Sequence, residues 1–323
     1  MKNKPIPTFF YKTSILIIIL FVADRLIGAA LEHLFYKQYH GDNYVSIYLL
    51  EKAKDDIMIL GGSRASHNYN ASLIEDSTKM SCFNGGRDEM IFYYSAATLG
   101  EVYKRTVPKV VILDLIPSEL TKSPGIKLAL EHMATVLMPF AHRHPDLLKT
   151  IALADDKLSL KMWVSHIYPY NSTIAGSIQN GVTSLGHYTV KGYEPLSGVI
   201  DSLTYKKSVW GDISGKELLN DSNAISKLNN LICLAKQHQT RMIITVSPFY
   251  FPVDFSNSAS YLSLKQLAKE NNIELYDFSH DPRFLKKPEL FYDDIHLNNQ
   301  GATLFSGVIA TIIRENKGNN IVQ

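Results

Sequence analysis

A serine at position 63 and a histidine at position 296 carry the clearest chemical signal in this chain. Ser63 follows Gly61 and Gly62 directly after an apolar run, and His296 follows Asp293 by three residues. A serine hydroxyl needs a positioned base before it attacks a carbonyl carbon, and a carboxylate that fixes the imidazole tautomer completes the relay. The pattern predicts Ser63 as nucleophile, His296 as general base and Asp293 as the orienting carboxylate of an acyl-transfer site.

The residues beside these three leave some alternatives open. Taken alone, a Gly-Gly-Ser segment is also typical of a tight turn in which the serine caps a helix. Asp294 is a second carboxylate that could replace Asp293, although the three-residue spacing favours Asp293. Arg64 and His67 either contact substrate or lie on a solvated helix face, and we favour the solvated face.

A tetrahedral intermediate also needs hydrogen-bond donors for its oxyanion. Ser63 is predicted to begin a helix, where backbone amides have no intrahelical partner, so its own amide is the first candidate. Gly86 follows the next predicted strand, and a glycine there permits close approach of the backbone, which makes its amide the second candidate.

The elements that must position these groups are short apolar runs separated by helical segments. Runs without alternation are typical of strands buried on both faces of a parallel sheet, and their alternation with helices predicts a doubly wound α/β domain. In such folds the carboxyl ends of the strands carry function. The loop with Asp293 and His296 must therefore return to that edge, just before a terminal helix from about 299 to 316. The predicted strands are 56–60, 80–84, 109–115, 242–246 and 273–276.

A long connection from about 120 to 239 separates the third and fourth strands. Long ordered connections in compact domains usually have a function, so we predict a mostly helical insertion that caps the sheet edge. Its aromatic residues either line a substrate cleft or form a small core within the insertion, and the sequence does not decide between the two. These residues include Trp163, Tyr168, Tyr170, Tyr193 and Trp210.

The N-terminal segment is suited to a membrane. A stretch from Phe9 to Ile27 is about long enough to cross a bilayer, and Lys2, Lys4 and Lys12 precede its most apolar part. The positive-inside tendency then predicts a cytoplasmic N-terminus and a body outside the cytoplasm, in the periplasm or extracellular space. A cleaved signal peptide is the competing interpretation, and a buried soluble helix is the third. We predict an uncleaved anchor over 1–35 and a catalytic domain over 36–323.

Composition excludes several other classes of protein. The 323 residues are 46% hydrophobic and 20% charged with a net charge of +2, so a folded core is expected and nucleic acid is not an expected partner. Cys82 and Cys233 are the only two cysteines, which predicts no disulfide framework. The spacing of Glu131, His142 and His144 gives no metal-binding set, and no metal or other cofactor is expected.

Three segments resemble the SGNH/GDSL hydrolase superfamily, in particular its membrane-anchored cell-envelope branch that includes the D-alanine transfer protein of lipoteichoic acid. They are Ile59–His67, Asn84–Gly86 and Phe291–Ala302. The resemblance implies a flavodoxin-like, three-layer fold with a five-stranded parallel sheet. It also implies a Ser63, Asp293 and His296 triad with Gly86 in the oxyanion hole. The family's Gly-x-Asn-Asp block is missing after the third strand, and Asn84 or Ser118 would have to replace its asparagine.

The resemblance implies an esterase or O-acyltransferase that acts on acylated envelope glycan or polysaccharide through an acyl-serine. The triad alone does not separate hydrolysis from transfer, because both pass through the same intermediate. The alternative is a non-catalytic accessory subunit that binds a glycan or a membrane-bound acyltransferase. A phosphate-ester hydrolase is a third option, but the carboxylate cluster expected for its metal is missing.

Overall fold

Five parallel strands form a single sheet in the order β2-β1-β3-β4-β5. The strands are β1 Ile57–Leu60, β2 Cys82–Asn84, β3 Val110–Asp114, β4 Arg241–Val246 and β5 Glu274–Asp277. Residues Ile57 to Leu60 pair with β2 on one side and with β3 on the other. This order is that of flavodoxin-like α/β folds, with the reversal of direction next to β1. The predicted five-stranded parallel sheet is confirmed, and each strand lies within two residues of its predicted start and end.

The computed structural model describes residues 5–174, 189–201 and 219–315. The α-helices within these ranges are α1 Pro5–Tyr36, α2 Gly41–Ile47, α3 Ser63–Asn68, α4 Ala71–Thr78, α5 Phe92–Tyr103, α6 Pro124–Leu137, α7 Leu147–Ile151, α8 Leu158–Val164, α9 Ser222–Gln237, α10 Ala259–Asn271 and α11 Asn299–Arg314. A π-helical turn, Tyr48–Lys52, continues α2. Where it is described, the predicted connection between the third and fourth strands contains helices α6 to α9 together with non-helical segments, of which 189–201 is the longest.

Two helical layers cover the sheet. Ile57, Ile59 and Ile112 belong to one core cluster with Ile74 of α4 and Phe305 of α11. Because side chains alternate across a strand, the intervening residues of β1 and β3 face the opposite layer. On that second side α9 contacts α5 and α10. The three-layer arrangement explains the continuous apolar runs, since both faces of the central strands are buried.

The chain divides into two units. The sheet unit contains residues 40–133, 189–201 and 219–315. The other, which we call the N-terminal unit, contains residues 5–39 and 134–174. The middle of the predicted insertion thus groups with α1, whereas its two ends group with the sheet. The domain limits 1–35 and 36–323 and the capping role of the insertion stay predictions.

The N-terminal unit has an aromatic core of its own. Phe35, near the end of α1, is fully buried and meets the rings of Phe140 and Tyr170, with centroids 5.2 and 5.9 Å away. Arg143 lies 3.7 Å above the Tyr36 ring and donates two hydrogen bonds to Glu32. These contacts hold the last turns of α1 against the segment that follows α6.

The first part of α1 has the character of a membrane-spanning helix. Within the described residues, it alone is long and apolar enough to cross a bilayer, over Thr8–Tyr36. Its apolar side chains from Phe9 to Val22 are exposed, which argues against a buried soluble helix. Lys2 and Lys4, on which the predicted orientation partly rests, lie outside the described residues.

Candidate active site

The turn between β1 and α3 presents Ser63 at the carboxyl edge of the sheet. Gly61 has φ +151°, and a Cβ atom there would lie 2.8 Å from both the Asp114 carbonyl oxygen and the Ala65 Cβ. Only glycine fits this turn without strain. The chain then enters α3 at once, with Gly62 as the N-cap and Ser63 as the first helical residue. The hydroxyl of Ser63 is therefore set on a short rigid helix beside the central strand.

Ser63, His296 and Asp293 are joined by two short hydrogen bonds. Nε2 of His296 lies 2.7 Å from Oγ of Ser63, and Nδ1 of the same ring lies 2.8 Å from Oδ2 of Asp293. A carboxylate accepts the Nδ1 proton, which leaves Nε2 unprotonated and directed at the serine hydroxyl. The structure thus brings together the three residues predicted as nucleophile, base and carboxylate, from positions 233 residues apart.

Asp293 also organises its own loop. Its Oδ1 accepts hydrogen bonds from the amides of Ile295 and His296, at 2.9 and 2.8 Å. Burial alone would raise the pKa of Asp293, but the hydrogen bond and charge of His296, together with the two amides, outweigh it and hold this pKa below its ordinary value. The carboxylate is therefore ionised at neutral pH, as its proposed task requires. Asp294 takes another position: its backbone oxygen accepts from the Tyr250 amide.

Asn68, at the end of α3, fixes the histidine loop to the serine helix. Its Oδ1 accepts from the amide of Leu297, 2.8 Å away, and its Nδ2 donates to Oγ of Ser247 at 3.1 Å. Asn68 is fully buried. Buried amides are strong constraints because an unmatched polar group costs free energy when water is excluded. The nucleophile and the base are thus set relative to each other by a residue five positions after Ser63.

Arg64 is buried, so the predicted solvated position was wrong. Its side chain is only 3% exposed. The guanidinium donates through Nε and Nη2 to Oγ of Ser247, at 2.9 and 2.7 Å, and through Nη2 to the Ser247 carbonyl. It also lies 4.0 Å above the ring of Phe249. Arg64 therefore joins α3 to the segment after β4 rather than meeting solvent.

His67 is the second residue of α3 that the sequence misplaced. It is 4% exposed, and its ring meets that of His296 edge to face with centroids 5.3 Å apart. Nδ1 lies 2.9 Å from the Glu194 carbonyl oxygen and Nε2 lies 3.1 Å from Oδ1 of Asp88. Burial alone would lower the pKa of His67, but the Asp88 carboxylate and the Glu194 carbonyl outweigh it and raise this pKa.

Two of the three predicted oxyanion donors, Asn84 and Gly86, already have hydrogen-bond partners. Asn84 is fully buried and donates from Nδ2 to the carbonyls of Ala65 and Tyr69, at 2.7 and 2.9 Å. Its Oδ1 accepts the amide of Gly86 at 2.9 Å. Two of the three predicted donors are therefore already engaged. Asn84 binds carbonyl oxygens of the serine helix and the residue after it, and the Gly86 amide donates to Asn84. Asn84 as an oxyanion donor stays a prediction, which would require its side chain to leave the carbonyls of Ala65 and Tyr69.

The Ser63 amide is the remaining predicted donor. At the first position of α3 it has no hydrogen-bond partner within the described residues. An amide at a helix start lies where the dipole favours negative charge. Among the residues that the structure describes, no hydrogen bond joins Ser118 to Ser63 or His296. These residues also contain no group of three potential metal ligands.

A buried acidic cluster lies behind the serine helix. Asp114, the last residue of β3, accepts a hydrogen bond from the Tyr69 hydroxyl at 2.8 Å, and that hydroxyl lies 2.8 Å from Oγ1 of Thr245. Glu119 accepts from the amides of Phe92 and Ile116, and burial raises its pKa to about 7. These groups occupy the position of the missing Gly-x-Asn-Asp block and act on buried Arg64 through space.

The insertion's aromatics do not form one group. Tyr170 is buried in the N-terminal unit, whereas Tyr193 is buried in the sheet unit and donates to Oδ1 of Asn299 at 2.9 Å. Both are core residues, which decides against the shared cleft for these two. Trp163 is exposed, and Trp210 lies outside the described residues.

Four residues support the triad: Arg64 and His67, which were predicted on a solvated face, and Asn68 and Ser247, for which no role was predicted. A signal was available for one of them. His67 is four residues after Ser63, and residues at this spacing share a helix face, so a histidine there lies beside the nucleophile. Ser247 follows β4 directly, at the functional edge of the sheet. Nothing local in the sequence marks Arg64 or Asn68 as buried.

No protein-family model matches the chain, and no curated protein matches it in sequence. A protein described as a lipolytic protein of the G-D-S-L family, from Desulfitobacterium hafniense DCB-2, has a similar structure. The pair is 10% identical, with 80% of this chain and 99% of that chain covered and a TM-score of 0.36.

Two further solved structures give similar values. A protein described as an acylhydrolase, from Bacteroides fragilis NCTC 9343, is 11% identical over 84% of this chain and 94% of its own, with a TM-score of 0.40. The acetyl xylan esterase AlAXEase is 12% identical, with 80% of this chain and 99% of its own chain covered and a TM-score of 0.38. At such low values the function has to be argued from the site itself.

Proposed function

We propose that this chain is a serine-dependent acyl-ester enzyme of the SGNH type that forms an acyl-Ser63 intermediate. The observation that carries the proposal is the continuous relay from Asp293 through His296 to Ser63, with hydrogen bonds of 2.8 and 2.7 Å. A serine and a histidine at this distance match the geometry that general-base activation requires. A helix cap alone would not need an imidazole directed at its hydroxyl.

The order of the proton transfers follows from the hydrogen bonds that join Asp293, His296 and Ser63. Nε2 of His296 takes the Ser63 proton as Oγ attacks the ester carbonyl, and Asp293 stabilises the imidazolium that forms. The Ser63 amide donates to the oxyanion of the tetrahedral intermediate. His296 then gives its proton to the departing alcohol oxygen, which leaves the acyl group on Ser63. In the second half His296 deprotonates water or an acceptor hydroxyl, which attacks the acyl-serine and frees the enzyme.

The finer part of the proposal concerns substrate and place. We propose an acylated glycan or polysaccharide of the cell envelope as substrate, with α1 as an uncleaved anchor and the sheet unit outside the cytoplasm. The exposed apolar side chains of α1 and the lysines before them support this orientation. The resemblance to the membrane-anchored envelope branch supports the substrate class. Hydrolysis and transfer remain two outcomes of one acyl-enzyme, and a membrane-bound acyltransferase is the proposed partner for transfer.

A fluorophosphonate probe tests the chemistry on the full chain in detergent micelles. The wild type is expected to be labelled at Ser63, while Ser63→Ala and His296→Ala lose labelling and keep their circular dichroism spectra. Ser72→Ala, at a half-buried serine on α4, is the matched control and should label like the wild type. Undiminished labelling of the Ser63→Ala protein would reject Ser63 as the nucleophile.

The accessory subunit is the second candidate, and one observation favours it. Of the three predicted oxyanion donors, Gly86 and Asn84 are engaged with each other and with the serine helix. Loss of one such donor costs about 2.7 to 4 kcal/mol of transition-state stabilisation in other serine enzymes. A folded chain with neither probe labelling nor turnover of a chromogenic acetyl ester would favour the accessory role over the enzyme.

A further inference from the structure

Helix α8 presents an apolar face on the surface of the N-terminal unit. Leu160, Trp163 and Val164 are 59%, 77% and 59% exposed. Residues three and four apart lie side by side on a helix, so these three form one surface, which we call the α8 face. Leu158, at the start of the helix, is buried and faces inward. Exposed tryptophan with neighbouring leucine and valine is unusual on a surface in contact with water.

The end of α8 is attached to α1 by hydrogen bonds to two adjacent residues, Asp24 and Arg25. The Asp24 carboxylate accepts hydrogen bonds from the Ser165 hydroxyl at 2.5 Å and from the His166 amide at 2.8 Å. Nη2 of Arg25 lies 3.3 and 3.4 Å from the carbonyl oxygens of Trp163 and Val164. The α8 face and the Asp24–Arg25 pair therefore lie at the same level along α1.

Gly28 strengthens this attachment one turn further on. It is buried, and a Cβ atom at this position would lie 2.5 Å from the Cβ of His166. The His166 backbone thus packs directly on α1, where any larger residue would push it away. The contacts at residues 24, 25 and 28 share one side of the helix, since they are separated by about one turn.

That level lies near the end of the apolar part of α1. Exposed apolar side chains run without interruption from Ile15 to Val22, Asp24 and Arg25 are the first charged residues after them, and only Leu26 and Ile27 continue the exposed apolar surface beyond this pair. Charged groups near the hydrocarbon region need polar partners. The segment that follows α8 provides these partners, so it must reach down to the boundary between hydrocarbon and headgroups. The α8 face, which lies beside it, reaches the same boundary.

We propose that the α8 face inserts into the headgroup region of the bilayer as a second membrane contact, on the leaflet away from the N-terminus. Tryptophan is enriched at this depth because its ring is apolar and its N–H is polar. Lys157 and Lys161 belong to the same segment, but Asp155 and Asp156 balance their charges and Lys161 pairs with Asp155 at 3.2 Å, so the proposed contact depends on the apolar side chains and the tryptophan rather than on charge. The inference rests on α1 being embedded, and it is independent of the chemistry at Ser63.

Quenching of tryptophan fluorescence by brominated lipids tests the depth of Trp163. The full-length Trp210→Phe protein contains Trp163 as its only tryptophan, since the chain has two. It is reconstituted into phosphatidylcholine vesicles brominated either near the headgroups or near the bilayer centre. We expect the shallow bromines to reduce emission by about half or more and the deep bromines to reduce it less. Emission that neither lipid reduces would overturn the proposal, whether the ring is in water or covered by protein.

Two controls separate the α8 face from the anchor. In a chain without native tryptophan, Leu16→Trp should be quenched best by the deep bromines, and absence of quenching there would show that α1 is not embedded and overturn the proposal with it. Leu160→Asp should remove most of the Trp163 quenching. Leu262→Asp, at a leucine 53% exposed on α10 of the sheet unit, should leave it unchanged. Equal effects of the two substitutions would contradict a membrane-facing α8.

Discussion

His67 and His296 meet edge to face, with their ring planes at 88° and centroids 5.3 Å apart. Both nitrogens of His67 face oxygen acceptors, the Glu194 carbonyl and the Asp88 carboxylate. Only the doubly protonated imidazolium donates to both at once. The proposed base therefore works beside a second histidine whose surroundings favour positive charge, an arrangement that the triad pattern does not contain.

This contact predicts a shift in the pH dependence of turnover. A cation at His67 repels the positive charge that the neighbouring His296 ring takes up during the reaction, while the Asp88 carboxylate offsets part of this repulsion. In His67→Gln the cation is lost and Asp88 remains, so the acidic limb of kcat/KM should move to higher pH, by about 0.5 to 1 unit. The measurement is the pH profile of acetyl-ester turnover.

His132→Gln is the matched control for this profile. His132 forms an ion pair with Glu89, 2.7 Å away, and its side chain is 41% exposed. Loss of an exposed pair should leave the acidic limb in place, because solvent screens it. If the acidic limb of kcat/KM does not move in His67→Gln, or moves to lower pH, His67 does not influence the base in the way argued.

Replacement of Asp293 should slow turnover far more than replacement of Asp294. Asp293→Asn offers an amide to Nδ1 of His296, which favours the wrong imidazole tautomer, and the same change in another serine enzyme lowers kcat by about 10⁴-fold. Asp294→Asn preserves the backbone oxygen that Tyr250 binds and should change kcat by less than about threefold. Steady-state kinetics of the two proteins decide the assignment, and comparable losses would contradict it.

Gly61 and Gly100 should respond to alanine in opposite ways. Gly61→Ala forces a side chain into φ +151° and into contact with the Asp114 carbonyl, so a loss of about 1 to 3 kcal/mol in unfolding free energy and of most turnover is expected. Gly100 lies within α5, where a Cβ atom would meet nothing within 4 Å. Gly100→Ala should therefore be neutral or stabilising by about 0.5 to 1 kcal/mol. Denaturant unfolding measures both, and equal effects would show that the turn is not strained.

Substitutions at Arg64 and Ser247 should lower the free energy of unfolding in a coupled way. Arg64→Met removes a buried cation beside acidic Asp114 and Glu119, which typically costs about 3 to 5 kcal/mol. Ser247→Ala leaves the guanidinium with one acceptor fewer, at a cost of about 1 to 3 kcal/mol. The double variant should lose less than the sum, because Ser247→Ala then breaks only the hydrogen bond from Asn68, the bonds from Arg64 being already absent. Strict additivity in a double-mutant cycle would deny the link between the two residues.

The fold was predictable because its strands are buried on both faces. Runs such as Ile57 to Leu60 and Val110 to Leu113 are continuously apolar, and such runs separated by helices leave few alternatives to a parallel sheet. The same rule places Ser63, which follows β1, at the carboxyl edge of the sheet. The return of His296 to that edge was required by the proposed chemistry alone, because its loop precedes the last helix and follows no strand directly.

The surroundings of the site were less predictable. Arg64 and His67 are polar residues on a helix of six residues, and the sequence pattern of so short a helix does not reveal that both of its sides are covered. The hydrogen bonds of Asn84 were unpredictable for a related reason. Its hydrogens go to carbonyls at Ala65 and Tyr69, and the orientation of those carbonyls depends on how α3 packs against β2.

Asn68 has a consequence for how this site tolerates change. The same six-residue helix carries the nucleophile, the arginine that binds Ser247 and the asparagine that binds both Ser247 and the histidine loop. The position of Ser63 therefore depends on two groups outside the helix, the Ser247 hydroxyl and the Leu297 amide. An engineer who transplants residues 61–68 to another sheet must therefore also transplant the Ser247 hydroxyl, which accepts from Arg64 and Asn68, and the Leu297 amide, which donates to Asn68.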